Sequence, residues 1–275
     1  MTDVITAPGV YDMTEEEYHA HPALSSSGAR KLLPPSCPAI FHYERENGAG
    51  HKREFDLGHA AHRLVLGVGS ELHVVDADNY RTDKAKADRD AAYARGEIPL
   101  LPHEFDTVQA MAAKLREHPR AGEVFAEGGV AEQSLFWTDP ETGVQCRARM
   151  DYFTNRIVDY KTTTNVSLDH IRKSVDSWGY YCQEDWYRTA AVELGLIEPD
   201  APFLFVFQSK TAPYLVTVVE LDEIDVRIGR DRNRLAREIF RDCTESGVWP
   251  TYSDDIERIS LSAYMRRRHY YDGII

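Results

Sequence analysis

The chain has 275 residues, 43% of them apolar, and a formal net charge of −13 at pH 7. That length can bury one large core, and the negative charge excludes a protein that coats DNA through a generally basic surface, though not one with a basic cleft inside an acidic exterior. No run of eighteen apolar residues occurs and Met1-Thr2-Asp3-Val4 lacks the regions of a signal peptide, so no membrane partner and a cytoplasmic location are expected.

In chain order, Thr14-Glu15-Glu16-Glu17 has the spacing of a capping box and predicts a short helix. Ser25 to Leu33 reads as a second helix, stopped by Pro34-Pro35, and Phe55 to Leu66 as a third that carries His59 and His62. Asp76 to Pro102 is polar and charged and reads as a flexible loop or insertion. Phe105 to Glu117 predicts a helix ending at Pro119. Strands follow at Glu132–Trp137, Val144–Phe153 and Ile157–Lys161, with Asp139 to Gly143 as a turn. Leu168–Val175 and Tyr180–Leu194 read as helices, Phe203–Gln208 and Tyr214–Glu220 as a strand pair, and Ile224–Cys243 as a long amphipathic helix. This order suits an α/β fold with a central mixed sheet flanked by helices.

The chemistry concentrates between Arg147 and Lys161. Alternation along a strand puts Asp159 and Lys161 on one face, opposite Val158 and Tyr160. It also puts Arg147, Arg149, Asp151 and Phe153 on one face, opposite Cys146, Ala148, Met150 and Tyr152, and a turn at Asn155 folds that face beside Asp159. Crowded carboxylates repel and one pKa rises. A divalent ion relieves this, and hard oxygen ligands suit magnesium, with manganese as a substitute. Lys161 would orient or deprotonate the attacking water, or offset charge on a phosphate. The bland alternative is an edge-strand ion pair of little energetic value. Glu132 shares a strand face with Ser134 and Phe136 and either reaches this cleft or ends the strand in solvent. Gln183 and Tyr187 share a helix face at i, i+4 spacing. Arg147, Arg149, Arg172, Lys173 and Arg188 fall among these motifs, so a local positive field that binds DNA is expected around them. Arg266-Arg267-Arg268 reads as a solvated tail. Cys37, Cys146, Cys182 and Cys243 are scattered with no CxxC pair, which argues against a disulfide framework and against zinc.

In combination and order, these motifs resemble the RecE-type exonucleases. The resemblance rests on Glu132 to Trp137, Thr142 to Asp151, Ile157 to Thr163 and Gln183 to Tyr187, together with Gly58-His59-Ala60-Ala61-His62, Leu24 to Ser27 and Cys37 to Phe41. These are phage and prophage members of the PD-(D/E)xK nuclease superfamily, similar to exodeoxyribonuclease VIII, and the match runs from about Gly9 to about Tyr252. The resemblance implies one nuclease domain over 1–275 with the restriction-endonuclease-like core at about 51–245, an N-terminal helical segment at about 10–50 and a C-terminal tail from about 246. It implies Asp151, Asp159 and His62 as metal ligands, Lys161 as the catalytic lysine, and a face carrying Gln183 and Tyr187 over the site. It further implies a magnesium-dependent exonuclease acting on double-stranded DNA ends, 5′ to 3′, that leaves a 3′ strand for recombination. A homo-oligomeric ring and a single-strand annealing protein as partner follow from the same source. Some superfamily members carry an iron-sulfur cluster, but the C-terminal cysteine trio it needs is missing, so no cluster is expected. An endonuclease on the same core, or an inactive module that binds DNA ends, are the alternatives.

Overall fold

Apolar residues on both faces of one sheet organise the chain, and the computed structural model describes residues 5–48 and 56–271. The first half runs β1 (Gly9–Tyr11), α1 (Glu15–Ala20), β2 (Leu24–Ser25), α2 (Ser26–Lys31), α3 (Pro38–Asn47), α4 (Asp56–Leu66), β3 (Leu72–Val74), α5 (Asp83–Ala94), β4 (Ile98–Leu100), α6 (Pro102–Glu117) and α7 (Pro119–Ala126). The second half runs β5 (Val130–Thr138), β6 (Gln145–Phe153), β7 (Ile157–Thr163), α8 (Leu168–Trp178), α9 (Tyr180–Glu193), β8 (Phe203–Ser209), β9 (Val216–Val219), α10 (Glu223–Ser246) and α11 (Ala263–Tyr271).

The main sheet has the order β1-β5-β6-β7-β8-β9, with β2 also paired to β6. It is mostly antiparallel. The parallel pairs are β2 with β6 and β7 with β8, and the crossover from β7 to β8 is made by α8 and α9. One face is covered by α2, α3, α8, α9 and α10 around a core that includes Leu135, Trp137, Met150, Trp186 and Phe205. The other carries α4, α6 and α7 over Met111, Leu115, Val158, Tyr160 and Val206. Each fully buried side chain of this size stabilises the fold by about 1.5–3 kcal/mol. Trp186 is fully buried and donates its indole N–H to the Arg147 carbonyl at 2.9 Å, so its polar atom costs nothing.

Local signals explain the elements. Thr14 caps α1 with both halves of its capping box formed, Ser25 caps α2 through the Gly28 amide at 3.1 Å, and Ser167 and Asp222 cap α8 and α10. The stretch from Asp76 to Pro102, expected as a loop, instead holds α5 and β4, and β4 pairs in parallel with β3. Thr82 caps α5, whose interior is mostly alanine and long charged side chains, good helix formers. Its buried face consists of Ala85 and Ala92, too small to read as an apolar stripe. The short strands β1 and β2 and the helices α3 and α7 also went unread, and the residues 266–268 lie on α11. The expected start of α4 at Phe55 lies outside the described residues.

Among the described residues, strand alternation breaks at one place in the β5–β6 pair. Along β6, Cys146, Ala148 and Met150 enter the first core, but Tyr152 enters the second and Phe153 packs on the first. Along β5, Leu135 and Trp137 enter the first core while Ala131 packs on the second. The faces exchange at Asp151 and Glu132, which the register sets opposite each other between the pairs Ala131↔Tyr152 and Gln133↔Met150. Glu132 has φ 53°, in the left-handed region that costs a residue with a Cβ about 1–3 kcal/mol.

Candidate functional site

The β6–β7 ladder carries only Tyr152↔Val158 and Phe153↔Ile157, and beyond these the strands part. The gap is filled by side chains: Asp151 Oδ2 accepts the Tyr160 amide at 2.8 Å, replacing a backbone partner. The Tyr160 carbonyl in turn accepts from His62 Nε2 at 2.9 Å, so one residue of β7 fixes both groups and the histidine tautomer. His62 reaches this point because α4 lies close on β7. A Cβ at Gly58 would come within 3.2 Å of Thr162 Oγ1, which shows how closely the helix lies on the strand.

Three groups converge. His62 Nε2 lies 3.7 Å from Asp151 Oδ2, His62 Nδ1 lies 3.9 Å from Glu132 Oε1, and one ligand atom from each residue falls within 4.8 Å of the others. Glu132 is held by Arg149, whose Nε donates to Oε2 at 2.6 Å and whose Nη1 reaches Ser134 Oγ at 2.8 Å and the Met13 carbonyl at 3.2 Å. Behind this trio, fully buried Asp159 accepts from Gln183 Nε2 at 2.6 Å and pairs with Lys161 Nζ at 2.6 Å. Lys161 also sits 4.9 Å from the centre of the Tyr180 ring.

The electrostatics follow from crowding. Burial and the charge of Asp159 push the Asp151 carboxyl up to about 7. Burial alone would lower His62, but Asp151 and Glu132 outweigh it and hold the imidazole at about 9. Burial likewise opposes the charge of Lys161, yet Asp159 and Asp151 keep it above the usual lysine range. Glu132 is brought below its ordinary value, despite burial, by its hydrogen bonds to His62 and Arg149. Burial holds the Tyr187 phenol well above its usual range, so it stays a neutral donor.

These residues fit a hard divalent cation. Two carboxylate oxygens and an imidazole nitrogen converge, and Asp151 has its charge opposed by Asp159. The clustered donors are His62, Glu132 and Asp151. Asp159, expected as a ligand beside Asp151, lies outside that trio with its oxygens turned to Gln183 and Lys161.

An open cleft of about 860 Å³ exposes the cluster, and His62, Glu132, Arg149, Asp151, Lys161, Gln183 and Tyr187 all line it. The other basic residues expected to bind DNA do not line it. Arg147 is buried, with Nη1 donating to the Tyr18 and His21 carbonyls and its guanidinium 4.7 Å from the Tyr18 ring, so it fastens the N-terminal segment to β6. Arg188 donates to Glu184 at 2.8 Å and to the carbonyls of Pro199 and Ala201. Arg172 pairs with Asp169 on the exposed side of α8, where Lys173 is also exposed. Each guanidinium of Arg147 and Arg188 is spent on the fold because main-chain carbonyls distant in sequence, or across a turn, claim it. The cleft instead holds Arg30 and the exposed Trp178, which sequence reading missed. Arg30 lies three residues beyond the Leu24–Ser27 segment already singled out, one helical turn after Ser26, and that spacing was the available signal.

Residues 35–262 match the PDDEXK-like domain of unknown function (DUF3799). The chain belongs to this family. Its fold is that of the PD-(D/E)xK nuclease superfamily. A crystal structure from Eubacterium rectale, described as "Putative exonuclease", is similar over 93% of this chain and 98% of its own, with a TM-score of 0.61 and 14% identity. A phage related exonuclease from Haemophilus somnus 129PT aligns over 83% of this chain and 97% of its own, with a TM-score of 0.33 and 11% identity. No curated protein matches the sequence. Among the described residues no helix is long and apolar enough to cross a membrane.

Proposed function

We propose that the chain is a magnesium-dependent exonuclease that degrades one strand of linear duplex DNA, from 5′ to 3′, and leaves a 3′ strand for recombination. The observation that carries the nuclease part of this reading is Lys161 beside buried Asp159, opening into the same cleft as the His62, Glu132 and Asp151 donors. End selectivity, polarity, a ring-shaped homo-oligomer and an annealing partner rest on the resemblance of the motifs to RecE-type enzymes.

His62, Glu132 and Asp151 would hold the ion, with Asp159 at hand as a further carboxylate. When bound, the ion supplies positive charge to the phosphate and lowers the pKa of a water. Lys161 acts as a cation: Asp159 keeps it protonated and aimed, so it hydrogen-bonds the attacking water or the phosphate and offsets charge that grows in the transition state. Gln183 fixes Asp159 by its amide, and the neutral Tyr187 hydroxyl, one turn later on α9, is a donor for a phosphate oxygen. Arg149 holds Glu132 in its strained backbone conformation.

The test is a linear duplex labelled at either 5′ or 3′ end, incubated with and without magnesium beside a covalently closed circle. The reading expects magnesium-dependent shortening of the 5′ strand alone and an intact circle. Cutting of the circle would replace the exonuclease with an endonuclease, and DNA binding without any product would leave an inactive end-binding module.

A further inference from the structure

Among the described residues three lysine or arginine side chains line the cleft, and two of them are paired. Lys161 has Asp159 and Arg149 has Glu132. Arg30 lines the same cleft, yet among the described residues it has neither an ion pair nor a hydrogen bond, and its Nε is buried. Burying Nε without a partner is costly, and the guanidinium presents donors in the fork that suits phosphate.

The second feature is the corner between α8 and α9. Gly179 there has φ 61° and ends α8 in a left-handed cap. A Cβ at this position would lie 3.0 Å from Arg30 Cδ, so the arginine stem crosses the bare glycine. The corner places Trp178 and Tyr180 on either side. Trp178 is 60% exposed on the cleft, whereas Trp137 and Trp186 are buried in the core. Arg30 and Tyr180 line the same cleft as Lys161, whose Nζ is 4.9 Å from the centre of the Tyr180 ring. An exposed aromatic face beside an unpaired guanidinium is the pairing of groups that holds unstacked nucleotides: the cation takes the backbone and the ring takes the base.

We propose that Arg30 and Trp178 form a grip for one unpaired nucleotide of the strand entering the active site, Arg30 on a backbone phosphate and Trp178 stacked on the base. The grip rests on the nuclease reading of the cleft and adds to it a preference for a frayed or single-stranded segment next to Lys161. Duplex DNA hides its base faces, so the contact forms only after the strand has opened.

The test is fluorescence anisotropy in chelator, without cleavage, using a labelled single-stranded oligonucleotide and a labelled all-abasic backbone of the same length. Trp178→Ala is expected to weaken binding of the oligonucleotide by about five- to a hundredfold, to leave the abasic backbone unaffected, and to be largely rescued by Trp178→Phe. Arg30→Gln is expected to weaken both ligands. Matching melting temperatures check that the variants fold. Equal losses on both ligands for Trp178→Ala, or no loss for Arg30→Gln, would overturn the grip. Cleavage by the wild type with magnesium is scored separately. Cleavage without this binding pattern overturns the grip alone, and the binding pattern without cleavage overturns the nuclease reading alone.

Discussion

Glu132 is the residue at which backbone strain and the site coincide. Its left-handed φ favours glycine, and the carboxylate is repaid by Arg149 and His62. Glu132→Ala loses those contacts and keeps the strain, whereas Glu132→Gly loses the contacts and relieves it. The glycine variant is therefore expected to be more stable than the alanine variant by about 1 kcal/mol in urea unfolding, the reverse of the usual order within a strand. Asp151 and His62 predict the pH response of the metal-free protein. Both have folded pKa values raised above their ordinary ones, Asp151 from 3.8 to about 7 and His62 from 6.5 to about 9. The Asp151 contribution is fully present below 3.8 and lost as pH rises through about 7, and that of His62 is fully present below 6.5 and lost through about 9. Melting curves across this range are thus expected to shift in favour of Asp151→Asn over the wild type as pH rises. Magnesium is expected to raise the wild-type melting temperature more at pH 8 than at pH 6, because ligands must give up their protons, and to raise that of Asp151→Asn little. Parallel curves for the two proteins would contradict the crowding around Asp151.

At the scale of elements, the site is the point where β6 and β7 part, and the N-terminal segment is strapped across β6 above it. Arg147 is the strap's fastening. Arg147→Ala removes charge-assisted hydrogen bonds to three buried or half-buried carbonyls and is expected to cost about 2–4 kcal/mol, with faster hydrogen exchange over residues 9–25 as the check. A surface DNA contact would cost affinity instead and leave exchange unchanged. The contrast also explains what was legible in the sequence. Strand period and Asp-x-Lys spacing are local, so the three strands and the shared face of Asp159 and Lys161 could be read directly. The roles of Arg147 and Arg188 could not, since Arg147 bonds to carbonyls well over a hundred residues away. The exchange of faces at Asp151 was equally hidden, because a single left-handed residue on the neighbouring strand has no signature in composition. Alanine-rich α5 was passed over because its buried face has almost no apolar bulk.

At the scale of the molecule, the net charge is −13, and the described lining of the cleft sets Arg30, Arg149 and Lys161 among the carboxylates Asp12, Glu15, Glu16, Glu132 and Asp151. Such a distribution keeps non-specific DNA coating weak. Within that cleft the proposed task of Lys161 is to offset transition-state charge, with Asp159 holding it in place. The most direct measurement compares Lys161→Ala with the wild type for magnesium-dependent cleavage of an end-labelled linear duplex and, in chelator, for binding of the same duplex. An interaction made only in the transition state lowers turnover without changing affinity, and removing such a donor costs on the order of 10²–10³ in rate. Lys161→Ala is expected to lose that much turnover or more, with the dissociation constant within a few-fold of the wild type; turnover close to the wild type, or affinity falling in step with rate, would contradict the role of Lys161.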